Sequence, residues 1–297
     1  MNPVPSERAR LNELLRRHGL RTAKALGQHF LADLDVLSAI AHAGHPGPDC
    51  DVVEIGTGAA NLTVMTALSG AHVTTIETDR RFVPIHQEIL TGWPEFADRV
   101  DFQYGDALDF DFLGAARHSA EQGRRFIVMG NIPYQITSPL IMGILEKEVP
   151  FDSMVLMVQK EVADRLTSPP GSRRIGSISI KVQFYSQVEM VLDVPKELFV
   201  PPPKVESAVI RFERNKLPPE LPRDKRGRPA FFSIVDAAYM HRRKTLPNSV
   251  VAAGLPYTRS QVEAALAEMD LTADARAEQL HVEQFVRLSE LLLKHPE

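Results

Sequence analysis

Apolar residues along this chain come in short runs that alternate between two periods. Residues 51–55 (DVVEI), 71–77 (AHVTTIE), 100–104, 126–129 and 154–158 are runs of strand length, rich in β-branched and aromatic side chains. Between and after them, 61–68, 80–90, 139–147 and 159–166 carry apolar positions at helical spacing. Pro84 falls in the first turns of the second of these, where a missing N–H is tolerated. Strands alternating with helices predict a doubly wound, mostly parallel α/β sheet. The pattern then changes. Residues 177–185 (SISIKVQFY) and 205–212 read as two long strands, able to pair antiparallel at one edge. Pro201, Pro202 and Pro203 lie between them and cannot be interior strand. Residues 1–25 read as a polar helix with a thin apolar stripe of Leu11, Leu14, Leu15 and Leu20, and the stretch 217–229, with four prolines among polar residues, reads as a linker. Residues 230–242, 259–269 (opened by Thr258) and 282–293 are helical in pattern. The expected organisation is a basic helical extension over 1–25, an α/β domain over 26–217 and a helical domain over 218–297.

Composition narrows the classes. The chain has 297 residues, 44% of them hydrophobic, enough for a sizeable core. A stretch such as 154–158 is far shorter than the roughly 20 apolar residues a bilayer span needs, so no membrane is expected. The N-terminus lacks an apolar run behind its charges, so no signal peptide is expected and the cytoplasm is the expected location. The single cysteine, Cys50, excludes an internal disulfide and a cysteine-built zinc site, and its bland reading is a small buried residue. The ten histidines have no spacing such as H-E-x-x-H, so no metal site is expected. The net charge of −4 argues against a nucleic-acid partner only if it is taken globally. Locally, Arg8, Arg10, Arg16, Arg17, Arg21 and Lys24 crowd the first residues, and a second basic region runs from Lys204 to Lys244. Patches set the field that phosphates feel, although a solvated surface is the ordinary explanation of such charges.

Four strand ends carry candidate chemistry. Glu54-Ile-Gly-Thr-Gly58 ends the first strand, and Gly56 and Gly58 let backbone pass close to a ligand ahead of a helix N-terminus. Alone this is a tight turn of any α/β protein. Glu77, with Asp79 just beyond, ends the second strand about twenty residues later, the offset of an acid that takes ribose hydroxyls. Gly105-Asp106-Ala107 follows the third, where an acid can accept from an adenine amine, or simply make a turn. Asn131-Ile-Pro-Tyr134 follows the fourth. The lone pair of an adenine amine is delocalised into the ring, and a methylating catalyst must localise it. Two acceptors for the amine hydrogens do so: the Asn131 side-chain oxygen and the Ile132 carbonyl, held rigid by Pro133. Tyr134 adds a face on which a base stacks. The bland alternative is a proline turn with a packed tyrosine.

These motifs, in this order, resemble the KsgA family of rRNA adenine dimethyltransferases, whose relatives include the Erm methylases. The resemblance runs from about Lys24 to the C-terminal helices. It includes GQHFL at 27–31, VLMVQKEVADR at 155–165, FVPPPKVESAVIRF at 199–212 and RRKTL at 242–246. It implies a Rossmann-like class I S-adenosyl-L-methionine-dependent methyltransferase sheet with a small C-terminal helical, RNA-binding domain. By the same resemblance His29 and Leu31 lie at the cofactor's edge and Gly56 approaches its methionine part, with Glu54 and Gly58 of the same loop as further cofactor-binding candidates. Glu77 then takes the ribose, Asp106 meets the adenine, and Asn131 sits where the amine and the methyl donor meet. Tyr134 and Phe199 would sandwich a target adenine drawn out of its stem. Arg242, Arg243 and Lys244 resemble RNA-contacting positions. The implied activity is N6,N6-dimethylation of two adjacent adenosines near the 3′ end of small-subunit (16S) rRNA, with the rRNA and the immature small subunit as partners and a monomeric enzyme. Three positions depart from the family's usual pattern. His29 stands where Asn is usual, Ile132 where Leu is common, and TGAAN at 57–61 where a Pro-Gly-Leu-Gly segment is more usual. A large-subunit rRNA methylase, a ribosome-assembly factor acting mainly by binding, and a DNA amine methylase are the competing readings.

Overall fold

The computed structural model describes residues 7–20, 28–215, 227–241 and 243–294. After α1 (Glu7–Arg17), β1 (Phe30–Leu31) and α2 (Leu34–Ala43), strands and helices alternate: β2 (Cys50–Ile55), α3 (Asn61–Ala67), β3 (His72–Glu77), α4 (Val83–Gly92), β4 (Val100–Tyr104), α5 (Phe112–Glu121), β5 (Arg125–Asn131), α6 (Thr137–Glu146), β6 (Ser153–Gln159) and α7 (Lys160–Leu166). Then come α8 (Ser177–Tyr185), β7 (Ser186–Val194), β8 (Phe199–Val200) and β9 (Ser207–Arg214). The chain continues as α9 (Gly227–Met240), α10 (Leu246–Ala252), α11 (Arg259–Ala267) and α12 (Val282–Lys294).

Seven strands form one sheet in the order β4-β3-β2-β5-β6-β9-β7. The pairs β2–β3, β3–β4, β2–β5 and β5–β6 are parallel, and β9 joins β6 antiparallel with Met157 opposite Val209. The strand order runs outward from β2 on one side and resumes at β5 on the other. The crevice at the carboxyl ends of β2 and β5 is therefore the switch point, where open α/β sheets bind ligands. The β5 and β6 strands are buried almost throughout, as strands covered on both faces must be.

The expected edge strand over 177–185 is instead the helix α8, and the edge strand is the segment after it, β7. The S-I-S-I alternation misleads because α8 is buried on most sides: Ser179, Ile180, Val182, Phe184 and Tyr185 are all buried. A helix without a solvent face shows no helical period. The start of α8 is fixed by Ser179, whose hydroxyl donates to the Arg165 carbonyl (2.7 Å) and accepts from the Gly176 N–H (3.1 Å). The second expected strand is present as β9, two residues further on. The short pair β1–β8 and the helices α2, α5 and α10 have no counterpart in the sequence reading. Gly227 to Pro229, expected as the linker's end, already form the first turn of α9.

Contacts group Met1–Ala163 with Val188–Arg214, and Asp164–Gln187 with Asn215–Glu297. The expected boundary near 217 therefore misses the 164–187 excursion. In the second unit α9 packs on α8, α10 and α12, with Phe184 and Phe231 rings 4.8 Å apart. In the first, α1 turns Leu11 and Leu15 inward onto Phe30, Ala59, Phe82 and Ile85, so the expected leucine stripe is its buried face. Among the described residues, no helix is long and apolar enough to cross a membrane.

Candidate active site

The register of β2 and β5 sets Ile55 opposite Gly130, so the residues that follow, Gly56 and Asn131, meet at the crevice. Gly56 has φ +81° and a Cβ there would lie 3.1 Å from the Asn131 carbonyl oxygen. Gly58 has φ +53° and a Cβ would press to 2.9 Å of the Phe30 ring. Both positions need glycine for the backbone angle and for the close approach. The loop bounds an open cleft of about 1080 Å³, lined among others by His29, Leu31, Glu54, Glu77, Asp106, Asn131, Ile132, Pro133 and Tyr134. One cleft thus brings together every expected cofactor residue and every expected catalytic residue except Phe199. Leu37, Ile40, Leu62, Ile76 and Met157 add apolar wall to it.

Four acids differ in their environment. Glu77 is 8% exposed; its Oε2 accepts from the Gly58 N–H and its Oε1 from the Asp79 N–H, both at 2.8 Å. Burial raises its pKa against the pull of those N–H groups. Glu54 is 1% exposed, and its Oε2 has no hydrogen-bond partner among the described residues. Burial pushes its pKa up to about 8. Asp79 is committed elsewhere. Arg81 grips its carboxylate and Gln28 donates to it at 2.8 Å, and the Arg81 contact holds its pKa down at about 2. Asp106 is exposed at the cleft and uses Oδ1 to cap the turn at Leu108 N (2.9 Å).

At the end of β5, Asn131 Nδ2 donates to the backbone carbonyl of His29 at 3.1 Å. That bond assigns Oδ1 the acceptor role. The Ile132 N–H donates to the Met157 carbonyl (3.1 Å), and Pro133 stiffens the peptide whose carbonyl belongs to Ile132. The Tyr134 hydroxyl meets Ser207 Oγ at 3.2 Å, tying the ring to β9, and burial raises its pKa. The His29 departure from Asn is accommodated, because the contact to Asn131 comes from its backbone. Its ring instead stacks beside Tyr134, with centroids 6.3 Å apart and planes at 21°, while Nδ1 meets the Pro201 carbonyl at 2.8 Å.

Phe199 stands apart. It pairs with Leu31 across β1–β8 and is 1% exposed, inside the apolar cluster with Leu31, Val194 and Val209. It does not line the cleft, so the expected Tyr134–Phe199 sandwich is not assembled. The ring beside Tyr134 is that of His29. Arg243 and Lys244 are exposed in the turn after α9, and Arg242 lies outside the described residues. Sequence reasoning missed Gln28, Asn61 and Ser207 as supports. Asn61 holds the Leu31 carbonyl at 3.2 Å, and only the fold brings such distant polar residues to the site. Among the described residues, no group of three or more His, Cys, Asp or Glu could hold a metal ion.

A glycine loop at the switch point, an acid ending the next strand and an Asn-x-Pro-Tyr segment beside them define a Rossmann-like class I methyltransferase that uses S-adenosyl-L-methionine. The cleft fits that cofactor. A buried carboxyl with one oxygen, Glu54 Oε2, left unpartnered suits a cationic ligand, and the two glycines leave room for its approach. A family model described as ribosomal RNA adenine dimethylase matches residues 19–294. The chain is 37% identical over 295 residues to ribosomal RNA small subunit methyltransferase A of Bacillus licheniformis, covering 98% of each chain. It is 37% identical over 288 residues to the protein of the same description from Geobacillus thermodenitrificans, covering 96% of this chain and 95% of the relative. Among solved structures, a dimethyladenosine transferase from Plasmodium falciparum matches with TM-score 0.71 at 25% identity, over 87% of this chain and 95% of that one. The 23S rRNA methyltransferase ErmE matches with TM-score 0.66 at 27% identity, over 89% and 99%. The chain belongs to the ribosomal RNA adenine dimethylase family, the KsgA family related to the Erm methylases. It is an enzyme that methylates adenine in ribosomal RNA with S-adenosyl-L-methionine.

Proposed function

We propose that this enzyme converts two adjacent adenosines near the 3′ end of 16S rRNA to N6,N6-dimethyladenosine, acting on the immature small subunit in the cytoplasm. The observation that carries the reading is the fixed amide of Asn131 next to the Ile132 carbonyl, in a cleft shared with Glu77 and Asp106. The names of the relatives, small subunit methyltransferases at 33–37% identity, support the choice of ribosomal subunit. In this reading Glu77 accepts the ribose hydroxyls and Asp106 the adenine amine of the cofactor, while Glu54 faces its methionine part. Bound S-adenosyl-L-methionine supplies a methyl group on a positively charged sulfur. Asn131 Oδ1 and the Ile132 carbonyl accept the two amine hydrogens of the target base and localise its lone pair toward that methyl. Tyr134, steadied by Ser207, stacks on the base and holds the line of attack. The amine nitrogen would take its methyl from the sulfonium sulfur of the cofactor held by Glu77 and Asp106, and the amine proton would leave to water. The chain needs no strong base for this.

Asn131→Ala is expected to retain cofactor binding and lose methyl transfer by about two orders of magnitude or more, the scale of a lost transition-state acceptor. The assay is labelled methyl transfer to small subunits lacking the modification, followed by mapping of the methylated bases. Label in the large subunit would move the assignment to an ErmE-like target. Undiminished transfer by Asn131→Ala would remove Asn131 from catalysis.

A further inference from the structure

His86 is an interior residue of α4, 1% exposed, and does not line the cleft. Its ring stacks with those of Phe82, Phe102 and Tyr104, with centroids at 6.2, 4.4 and 5.7 Å and planes within 20°. An apolar ring would serve packing there as well as imidazole does. The polar atoms make the difference. Nε2 meets the Gly58 carbonyl at 2.9 Å and Nδ1 meets the Tyr104 hydroxyl at 2.8 Å. A carbonyl can only accept, so Nε2 carries the hydrogen. Nδ1 of the neutral ring then accepts from the Tyr104 hydroxyl. Burial lowers the His86 pKa, which favours that neutral form.

Gly58 lines the cofactor cleft, and Tyr104, behind the cleft, directly precedes Gly105 and Asp106, which line it. Gly58 is in the glycine loop, where its N–H is already taken by Glu77 at 2.8 Å. With His86 on the carbonyl, this residue is held from both of its backbone polar groups. Tyr104 is the last residue of β4, two positions before Asp106, and Arg80 lies over its ring at 5.8 Å. We infer that His86 is a positioning residue of the cofactor site, a neutral Nε2–H bridge that fixes the glycine loop relative to the adenine-side end of β4. It acts behind the cleft by setting the loop before the cofactor arrives, so its loss weakens cofactor binding more than turnover.

This inference rests on the cofactor reading of the cleft, and the wild-type titration tests that reading separately. S-adenosylhomocysteine is titrated calorimetrically into wild type, His86→Phe, His86→Gln and Tyr104→Phe, well below the thermal midpoint of each. His86→Phe keeps the ring stack and removes both hydrogen bonds, and its Kd is expected to rise about tenfold, the scale of one or two lost net hydrogen bonds. Tyr104→Phe is expected to raise Kd about threefold on the same scale. His86→Gln, which restores a donor toward Gly58, is expected to recover most of the loss. In turnover, KM for S-adenosyl-L-methionine rises in His86→Phe while kcat changes far less. Nitrogen-15 NMR of the wild-type ring is expected to report the Nε2–H tautomer. A folded His86→Phe protein with wild-type Kd overturns the inference. If that variant does not fold, an unchanged Kd in Tyr104→Phe together with the Nδ1–H tautomer overturns it. Failure of the wild type itself to bind would instead reject the cofactor reading.

Discussion

Glu54 is held at the carboxyl end of β2 in a setting that disfavours its charge. Its ordinary pKa is 4.5, and burial lifts it to about 8 in the folded chain. A folded-state pKa above the unfolded value means that folding favours the protonated acid. The stabilisation is fully present below about pH 4.5 and is lost as the pH rises toward about 8. The thermal midpoint of the cofactor-free protein is therefore expected to fall across that window, and Glu54→Gln, neutral at every pH, to flatten the fall. Equal slopes for the two proteins in differential scanning calorimetry would assign the pH dependence elsewhere. His29 illustrates a different economy. Its backbone carbonyl serves Asn131 and its ring serves Pro201 and Tyr134. His29→Asn is expected to preserve the Asn131 bond and cofactor affinity within about threefold, since no backbone hydrogen bond is removed. The effect should fall on the KM for RNA, where the second ring at the cleft is missing. An unchanged RNA KM would leave the ring with a packing role only.

At the level of elements, α1 is a structural cover of the glycine loop. Leu11 is 1% exposed and packs in the cluster containing Phe30, whose ring abuts Gly58. Leu11→Ala is expected to cost about 2–5 kcal/mol, the usual range for a buried leucine, read from urea unfolding. A loss below about 0.5 kcal/mol, the level of an ordinary surface change, would mean that the helix does not hold this place. The strands β2, β3, β5 and β6 were legible because their apolar runs, bounded by glycine or polar turns, report burial, and β4, at the sheet's edge, shows instead as an alternation with Asp101 and Gln103 exposed. The ends of those strands carried the chemistry for the same reason, since a parallel sheet gathers its carboxyl ends at one edge. What escaped was set by tertiary context. The period-two pattern of α8 reflects a helix buried nearly all round. The ring of Phe199 faces the core because β8 pairs with β1, two residues against two, too short a match to leave a periodic trace. The supports of the site, Ser207 on Tyr134 and Asn61 on Leu31, are polar contacts between segments far apart in sequence, without a local signature.

For the molecule as a whole, a net charge of −4 coexists with an RNA substrate. Attraction to phosphate must then come from local patches, and the exposed Arg243 and Lys244 are candidates. Replacing both with alanine is expected to weaken RNA binding and to reduce the slope of log K against log salt by about 1–2, one for each lost phosphate contact. Filter binding across a salt series checks this, and an unchanged slope would exclude both from the phosphate interface. The interleaved units carry a further consequence, for biosynthesis. Residues of the second unit, Asp164–Gln187, are translated before the strands that complete the first unit's sheet, which ends at Arg214. A nascent chain halted between Gln159 and that residue holds an open sheet edge at β6, with the buried strand that must cover it not yet complete. The catalytic unit of this rRNA-modifying enzyme therefore cannot finish folding first and wait. Its closure comes only after part of its neighbour has emerged, and a gene truncated ahead of Arg214 would encode an exposed edge in place of a smaller enzyme.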